Sequence, residues 1–377
     1  MKTEPLRNLA RVMVLALAGG AAYGQAPAIT NIAMSAGVPW LTITSDVGLT
    51  NQIQCASGLG GSYGWTVLTN LVVTNSPYVF ADVGTPLEAA RFYRVAATSG
   101  MVPVPAGSFI LGDGLDFQGG APTNTVYVSL FYMDVDDVTE TLWAEVYNWA
   151  VTNGYSFDNS GLGKAPDHPV QTVSWYDCVK WCNARSEMEG LTPAYYTDET
   201  QATVYRTGDL DLGNNYVKWG AGYRLPTEAE WEKAGRGGLS LQRFPWGDTI
   251  NESQANYYSA YAWPFDLSDT GYSPAYNDGI YPYTSPVGSF APNGYGLYDM
   301  AGNVYQWCWD YYDESIYGNE SPSDPRGPGA GASRVLRGGS WDSNAWLCRT
   351  SARDANPPPT DTYDGVGFRT VLAPGQR

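Results

Sequence analysis

The sequence predicts an α+β domain with little regular secondary structure, preceded by a small all-β sandwich module. Two observations lead to this prediction. The first is a change of pattern near residue 100, where short alternating apolar runs give way to a region with three helix signals. The second is the composition: 43 Gly, 25 Pro, 14 Trp and 28 Tyr among 377 residues are typical of a globular chain with many ordered loops. We therefore expect two domains, at residues 29–97 and 101–373.

Residues 1–24 have the pattern of a signal peptide. Lys2, Arg7 and Arg11 form a basic start, an apolar run follows at residues 12–22, and small residues end the segment. The apolar run is too short to span a bilayer, and no later stretch is long enough for a transmembrane helix. We therefore expect a secreted or periplasmic protein, in a compartment where disulfides can form.

The chain is acidic, with a formal net charge of −17. Phosphate backbones and anionic lipid surfaces repel such a chain, so neither nucleic acid nor an anionic membrane is an expected partner. The expected partners are a protein or peptide, or a glycan.

The first module alternates apolar and polar residues without helical periodicity. The runs around Trp40, Val67 and Tyr93 are short, rich in Thr and Val, and separated by turn residues. The glycine-rich segment at residues 58–62 is a turn signal, because no helix pattern follows it to complete a phosphate-binding loop. We assign this module no chemistry.

Three helices are predicted in the second domain from their capping residues. The first begins after Thr139, and the second begins after Ser174, with Asp177 placed to complete a capping box. The third begins after Thr227, and Gly237 can end it. No helical pattern follows, so buried aromatic rings or metal ions must keep the remaining loops ordered.

The second domain carries a series of motifs in order. They are Asp167-His168-Pro169-Val170, residues 173–177, residues 223–232, Phe244-Pro245-Trp246-Gly247, residues 292–304, residues 337–341, Cys348-Arg349 and Gly367-Phe368-Arg369. Together they resemble the formylglycine-generating enzyme, or sulfatase-modifying factor, family over residues 101–373. The resemblance implies a C-type-lectin-like fold, with three helices around a small twisted sheet and long loops braced by metal.

The resemblance implies calcium as the bracing ion. By motif match, Asn256 and Asp278 would supply oxygens to a first Ca²⁺, and Asn303 would supply oxygen to a second. Loops rich in oxygen ligands suit this ion. Gln306 stands where the family usually has an acidic residue, so the second site is expected to be weaker or empty. The alternative is that Asn256 and Asn303 only form turns.

The resemblance also implies which residues an oxidase of this family needs. The family's oxidases use two nearby cysteines to bind Cu(I), activate O₂ and convert a substrate cysteine to formylglycine. Soft thiolates suit Cu(I). Here the segment after Gly339 holds one cysteine, Cys348, and Ser343 stands roughly where the first family cysteine falls. Ser340 and Trp307 match the family's active-site serine and tryptophan.

Cys308 is the candidate for a second thiol. We hypothesise that Cys308 and Cys348 lie close together, as a structural disulfide, as a redox or copper pair, or as two unpaired thiols. The candidate catalytic residues are therefore Cys348, Ser340, Trp307 and Cys308. Cys178 and Cys182 are expected in the core, because their spacing on a helix does not favour a bridge.

Other hydrolytic chemistry has little support. His168 is the single histidine, so zinc sites built from several histidines are excluded, and we interpret it as a turn residue. No two carboxylates stand out as a glycosidase pair.

Two functions compete. The first is an exported, calcium-braced binding scaffold without the paired-cysteine oxidase site, whose concave face is lined by Trp307, Trp341 and Trp346 and whose wall is the loop at residues 342–364. The second is a copper- and O₂-dependent formylglycine-generating oxidase with a non-standard cysteine arrangement. A third possibility is an envelope component that docks through its β module. Fold supports all of them equally.

Overall fold

The computed structural model describes residues 11–12, 28–35, 38–44, 50–56, 66–72, 76–82, 90–97, 100–116, 123–260, 262–314, 322–354 and 359–376. The chain divides into two compact units, Met1–Gly100 and Met101–Arg377. Of the predicted signal peptide only Arg11 and Val12 are described, and the glycine-rich turn at 58–62 lies outside the described residues. No helix in the described part of the chain has the length and apolar character needed to cross a membrane.

In its described residues, the first unit is all β. One sheet has the strand order β1-β7-β4-β5 and the other has the order β2-β3-β6. Alternation explains the core, because β3 turns Pro39, Leu41 and Ile43 inward and its other residues outward. The strands are β1 (Arg11–Val12), β2 (Ala28–Ser35), β3 (Val38–Thr44), β4 (Thr50–Ala56), β5 (Thr66–Val72), β6 (Tyr78–Ala81) and β7 (Ala90–Ala97).

The described residues of the second unit form three α-helices, and all three begin where the sequence predicts. They are α1 (Glu140–Thr152), α2 (Trp175–Met188) and α3 (Glu228–Arg236). Ser174 and Thr227 both form complete capping boxes with the acidic residue three positions later. Gly237 ends α3 in the left-handed conformation that favours glycine.

The strands described in the second unit form four small sheets. Their orders are β10-β9, β12-β18-β11-β8, β13-β14 and β16-β15-β17. The strands are β8 (Met101–Val104), β9 (Gly107–Leu111), β10 (Asn124–Val128), β11 (Phe131–Asp134), β12 (Tyr223–Arg224), β13 (Tyr258–Ser259), β14 (Gly271–Tyr272), β15 (Tyr305–Tyr311), β16 (Arg334–Arg337), β17 (Val366–Gly367) and β18 (Val371–Leu372).

Strand β15 is buried on both sides and separates two cores. Trp307 and Trp309 pack in the core built on α1 and α2, where their ring N–H groups donate to the Val173 carbonyl and to Asn214 Oδ1. Cys308 faces the opposite core, which packs around α3. The period of two along a strand therefore sends neighbouring residues of one motif to different places.

No helix follows Arg236 in the described residues, as the sequence predicts. Aromatic packing holds much of this long region. A third core contains Phe244, Tyr257 and Cys348, and the rings of Trp263 and Trp346 stack at its edge with centroids 4.4 Å apart. Aromatic pairs of this kind stabilise loops that have few backbone hydrogen bonds of the kind found in sheets.

Candidate functional site

A tight glycine turn positions the candidate site. Gly338 and Gly339 have φ of +95° and +72°, and a Cβ on Gly339 would lie 2.7 Å from the Cys348 sulfur. The turn is tied to a neighbouring loop by two backbone hydrogen bonds, from Gly302 N to the Gly338 carbonyl and from Trp341 N to the Asn303 carbonyl. Only glycine fits this backbone and this contact, so the motif serves to place the residues that follow it.

The residues that follow form a group of hydroxyls and a carboxylate. Ser340 Oγ donates to Asp342 Oδ1 at 2.5 Å and lies 2.9 Å from Ser343 Oγ. Ser340 and Ser343 are buried, whereas Asp342 is exposed. The buried phenol of Tyr305 lies beside Ser343. This group offers hydrogen bonds and negative charge, but it has no thiol.

The surroundings of this group are acidic. Burial, followed by repulsion from Asp342, raises the pKa of Asp364 above its ordinary value. The pKa of Tyr363 is raised by burial and then by Asp342. In the described part of the chain no Lys or Arg forms an ion pair with Asp342 or Asp364. The site therefore has a negative potential that a cationic group of a ligand could compensate.

A group of aromatic side chains lies next to the carboxylates. Trp341 packs against Tyr272, Tyr281 and Tyr283 with ring centroids 5.4 to 5.6 Å apart, and its indole N–H donates to the Asp364 carbonyl. Tyr281 is 58% exposed. Tyr258 also belongs to this group, since its ring packs edge-on against Tyr272. We call these five residues the aromatic patch.

Cys348 lies behind the turn and has no cysteine partner. Its side chain is fully buried in the third core, and this burial is the main reason why the pKa of its thiol is raised. Cys308 is also fully buried, but it packs in the core around α3, and burial raises its pKa too. Both cysteines have free thiols and pack in different cores, so of the three arrangements considered the structure shows two unpaired thiols. Cys178 and Cys182 are in the core, as expected.

The three tryptophans do not line one concave face, so that expectation was wrong. Trp307 is fully buried in the first core. Trp346 lies between Trp263 and the guanidinium of Arg349, whose carbon is 3.5 Å from the ring centroid. Only Trp341 belongs to the site. Part of the expected wall, residues 355–358, lies outside the described residues.

The residues matched to calcium ligands already have protein partners. Asn256 Nδ2 donates to the Tyr283 carbonyl, and the Asn303 amide makes hydrogen bonds to both the backbone N–H and the carbonyl of Ser285. Asp278 accepts from the ammonium of Lys164 at 2.8 Å. Where the structure describes the chain, no three His, Cys, Asp or Glu side chains form a metal cluster. In this arrangement the residues do not fit a calcium ion, and calcium binding stays a prediction.

Sequence reasoning missed the aromatic patch and Lys164. A signal for the patch was present, because tyrosines recur at positions 272, 276, 281 and 283 in one loop-rich segment. His168 is buried, and its Nδ1 lies 2.9 Å from Thr284 Oγ1, which agrees with its interpretation as a turn residue.

Comparison with known proteins identifies the family. Residues 88–374 match the family model described as a sulfatase-modifying factor enzyme 1-like domain. The chain belongs to the formylglycine-generating enzyme family. The formylglycine-generating enzyme of Thermomonospora curvata is 34% identical over 73% of this chain and 94% of that protein. The fold is the α+β, C-type-lectin-like fold of this family, preceded by the all-β unit.

Other proteins similar to this chain have different names. Chaperone protein LppX of Paenibacillus barcinonensis is 33% identical over 67% of this chain and 88% of its own length. Among solved structures, Treponema denticola variable protein 1 matches with a TM-score of 0.56 and 29% identity, covering 73% of this chain and 95% of the other. Membership in the formylglycine-generating enzyme family therefore does not by itself assign one activity.

Proposed function

We propose that this protein is an exported member of the formylglycine-generating enzyme family that binds a protein or peptide ligand at Asp342 and the aromatic patch, and that it has no copper oxidase site. The observation that carries the proposal is the Ser340–Ser343 hydroxyl pair beside Asp342. Hydroxyls and a carboxylate are hard ligands, whereas Cu(I) selects thiolates.

The position of Cys348 supports the absence of copper chemistry. A thiol acts as a nucleophile or as a metal ligand in its thiolate form, and a buried thiol with a raised pKa stays protonated at neutral pH. Cys308 packs in a different core, on the side of β15 that faces α3. One protonated thiol is a poor substitute for two nearby thiolates.

The chemistry of the surface supports a basic peptide as the ligand. Carboxylates such as Asp342 and Asp364 attract a Lys or Arg side chain, and aromatic rings bind the same cations through their faces. The half-exposed ring of Tyr281 extends this surface outward. The names of the relatives agree with a protein ligand, since one relative is a chaperone.

A turnover assay tests the absence of oxidase activity. The purified protein would receive Cu(I), O₂ and a peptide with the family's target motif, Cys-x-Pro-x-Arg, and the peptide would be analysed by mass spectrometry. We expect unchanged peptide and no bound copper. An aldehyde product that disappears in Cys348→Ser would overturn the proposal.

A binding assay tests the ligand class. Fluorescent peptides that carry two basic residues would be compared with peptides of the same length that carry two acidic residues, and with neutral oligosaccharides. We expect the basic peptides alone to bind, with an affinity that falls as salt is added. Binding of the oligosaccharides alone would replace the peptide by a glycan ligand.

Export and calcium binding also stay predictions. Export is tested by finding whether the protein recovered from the source cells lacks residues 1–24. Calcium bracing is expected from the family resemblance, but the contacts around Lys164 favour a different brace.

A further inference from the structure

The loop at residues 278–285 is held at three points by side chains from other parts of the chain. Lys164 holds its beginning, Asn256 holds Tyr283, and Asn303 holds Ser285. The loop exposes Ile280 and Tyr281, at 68% and 58% exposure, and carries part of the aromatic patch. Its shape therefore decides what the patch presents to a ligand.

The ammonium of Lys164 makes several contacts with this loop. Nζ lies 2.8 Å from Asp278 Oδ1 and 3.1 Å from the Ile280 carbonyl oxygen, and it is 5.7 Å from the centroid of the Tyr283 ring. The Lys164 side chain is 17% exposed, while that of Asp278 is 50% exposed. The hydrogen bond from Lys164 is the largest contribution that lowers the pKa of the Asp278 carboxyl. The carboxylate is thus ionised, and Lys164 compensates its charge.

The backbone of Lys164 is fixed before the side chain reaches the loop. Leu162 pairs with Gln171 through two backbone hydrogen bonds, which closes the segment that carries Lys164. On the other side, a Cβ on Gly163 would lie 2.4 Å from the Cβ of Glu140, at the start of α1. The segment therefore packs directly on α1, and these backbone contacts fix the position from which the Lys164 side chain extends to the loop.

We propose that Lys164 is a tethered cation that braces the 278–285 loop in place of a metal ion. One carboxylate oxygen and one carbonyl oxygen are the kinds of oxygen that ligate Ca²⁺. Here both of them accept hydrogen bonds from one ammonium. A divalent ion bound to the same two oxygens would lie against the ammonium, and the two cations would repel each other. The loop is therefore braced without metal, and a calcium site at Asp278 opens only when the lysine is removed.

An ordinary surface ion pair would not have these properties. Exposed Lys–Asp pairs hold two mobile side chains and contribute little. Lys164 has a mostly buried stem, and its ammonium binds a backbone carbonyl as well as a carboxylate. The carbonyl contact fixes the loop backbone at Ile280, next to Tyr281 of the patch.

Terbium luminescence tests the proposal directly, because Tb³⁺ replaces Ca²⁺ and is excited by a nearby tyrosine such as Tyr283. We expect the wild type to show neither tyrosine-sensitised luminescence at this loop nor a calcium-dependent change in Tm that Asp278→Asn abolishes. Lys164→Ala should gain both, with Tb³⁺ affinity rising by about tenfold or more, and calcium should raise its Tm because the ion binds only the folded state. The double variant Lys164→Ala/Asp278→Asn should lose the gain.

Two further variants make the result decisive. Lys164→Met keeps the length of the stem without its charge, so it replaces Lys164→Ala if that variant does not fold. Lys218→Ala is the matched control, because Lys218 also lies over a tyrosine ring, at 4.4 Å from the centroid of Tyr196, but donates to the phenol of that tyrosine. The control should gain no terbium site. Asp278-dependent calcium binding by the wild type would overturn the proposal, and so would the absence of any gain in both Lys164 variants.

Discussion

Charged residues are arranged differently around α3 and at the candidate site. In α3, each of the three buried glutamates has a guanidinium within hydrogen-bond distance: Arg236 Nη2 lies 2.7 Å from Glu232 Oε1, Arg353 Nε lies 2.6 Å from Glu228 Oε1, and Arg224 Nη2 lies 2.6 Å from Glu230 Oε1. At the site, Asp342 and Asp364 form no ion pair with a described Lys or Arg. Because the glutamates of α3 are compensated within the fold, we interpret Asp342 and Asp364, which lie beside the aromatic patch without such partners, as part of a surface that meets a ligand.

The largest effect on stability is expected from removing a carboxylate charge from the ion pairs around α3. Glu232 is fully buried and binds Arg236, Arg337 and the backbone N–H of Gly112. Glu232→Gln leaves the buried guanidinium of Arg236 without a countercharge, and it leaves Arg337 with only the longer contact to Glu228, at 3.4 Å, so the free energy of unfolding should fall by about 3–5 kcal/mol. Urea unfolding measures this change. Arg206→Gln, at a more exposed ion pair with Glu187, is the control and should cost at most about 1 kcal/mol. Equal effects would refute the comparison.

A second test uses a half-buried carboxylate, Asp136, and its buried neighbour Asp299, which are incompletely compensated. Burial, then repulsion from Asp299, raises the pKa of Asp136 to about 6, and burial does the same for Asp299. A raised carboxyl pKa means that the folded state binds the proton more tightly than the unfolded state. The stability from this group is therefore fully present below about pH 4 and is lost as the pH rises through about 6.

Asp136→Asn removes the contribution of Asp136 to the pH dependence of stability. At pH 7 the variant should be more stable than the wild type by about 2 kcal/mol, and the two should converge at pH 4. Thermal unfolding between pH 4 and 8 follows both proteins. If the wild type instead became more stable relative to the variant as the pH rises, the direction of the Asp136 pKa shift would be wrong.

The glycine turn provides a smaller effect. Gly339→Ala places a methyl group against Cys348 and requires φ of +72° from a residue with a Cβ. The expected loss of unfolding free energy is about 1–2 kcal/mol. Gly329→Ala is the matched control, since nothing lies within 4 Å of the added Cβ, and its change should stay within about 0.5 kcal/mol. A neutral Gly339→Ala would mean that the turn is not constrained.

The smallest effect is expected for ligand binding. Asp342→Asn keeps an acceptor for Ser340 but removes the charge, so the affinity for a basic peptide should fall roughly fivefold, about 1 kcal/mol. Fluorescence anisotropy at low salt measures this change, and the difference should shrink at high salt. Asp198→Asn is the control, because Asp198 also accepts from a nearby hydroxyl, that of Thr200. Equal losses in both variants would show only a general effect of net charge.

The sequence was sufficient for the elements whose signals are local. The caps at Ser174 and Thr227 and the glycine at 237 act within one turn of helix, so they predict the helix bounds directly. The glycines of the glycine-serine motif likewise act locally, since Gly338 and Gly339 form a tight turn with φ of +95° and +72°. By contrast, the stack of Trp263 on Trp346 joins residues far apart in the chain, and no local pattern encodes it.

Two of the site expectations failed for the same reason. Trp307 was matched to the family's active-site tryptophan and Cys308 was the candidate for a second thiol beside it, yet strand β15 sends them to two different cores. Counting alternate positions along residues 305–311 would have separated them, but only if the motif had been recognised as a strand buried on both faces. That burial depends on α3 and on the first core, which pack from distant parts of the sequence.

The buried cysteines provide an internal record of unfolding. Cys55 is buried in the first unit, and Cys178, Cys182, Cys308 and Cys348 are fully buried in the second. A thiol reagent must wait for a local or global opening before it can react, so its rate measures how often each region opens. Because proteolysis followed by mass spectrometry identifies the labelled residue, one labelling experiment would time the opening of both units without any engineered probe.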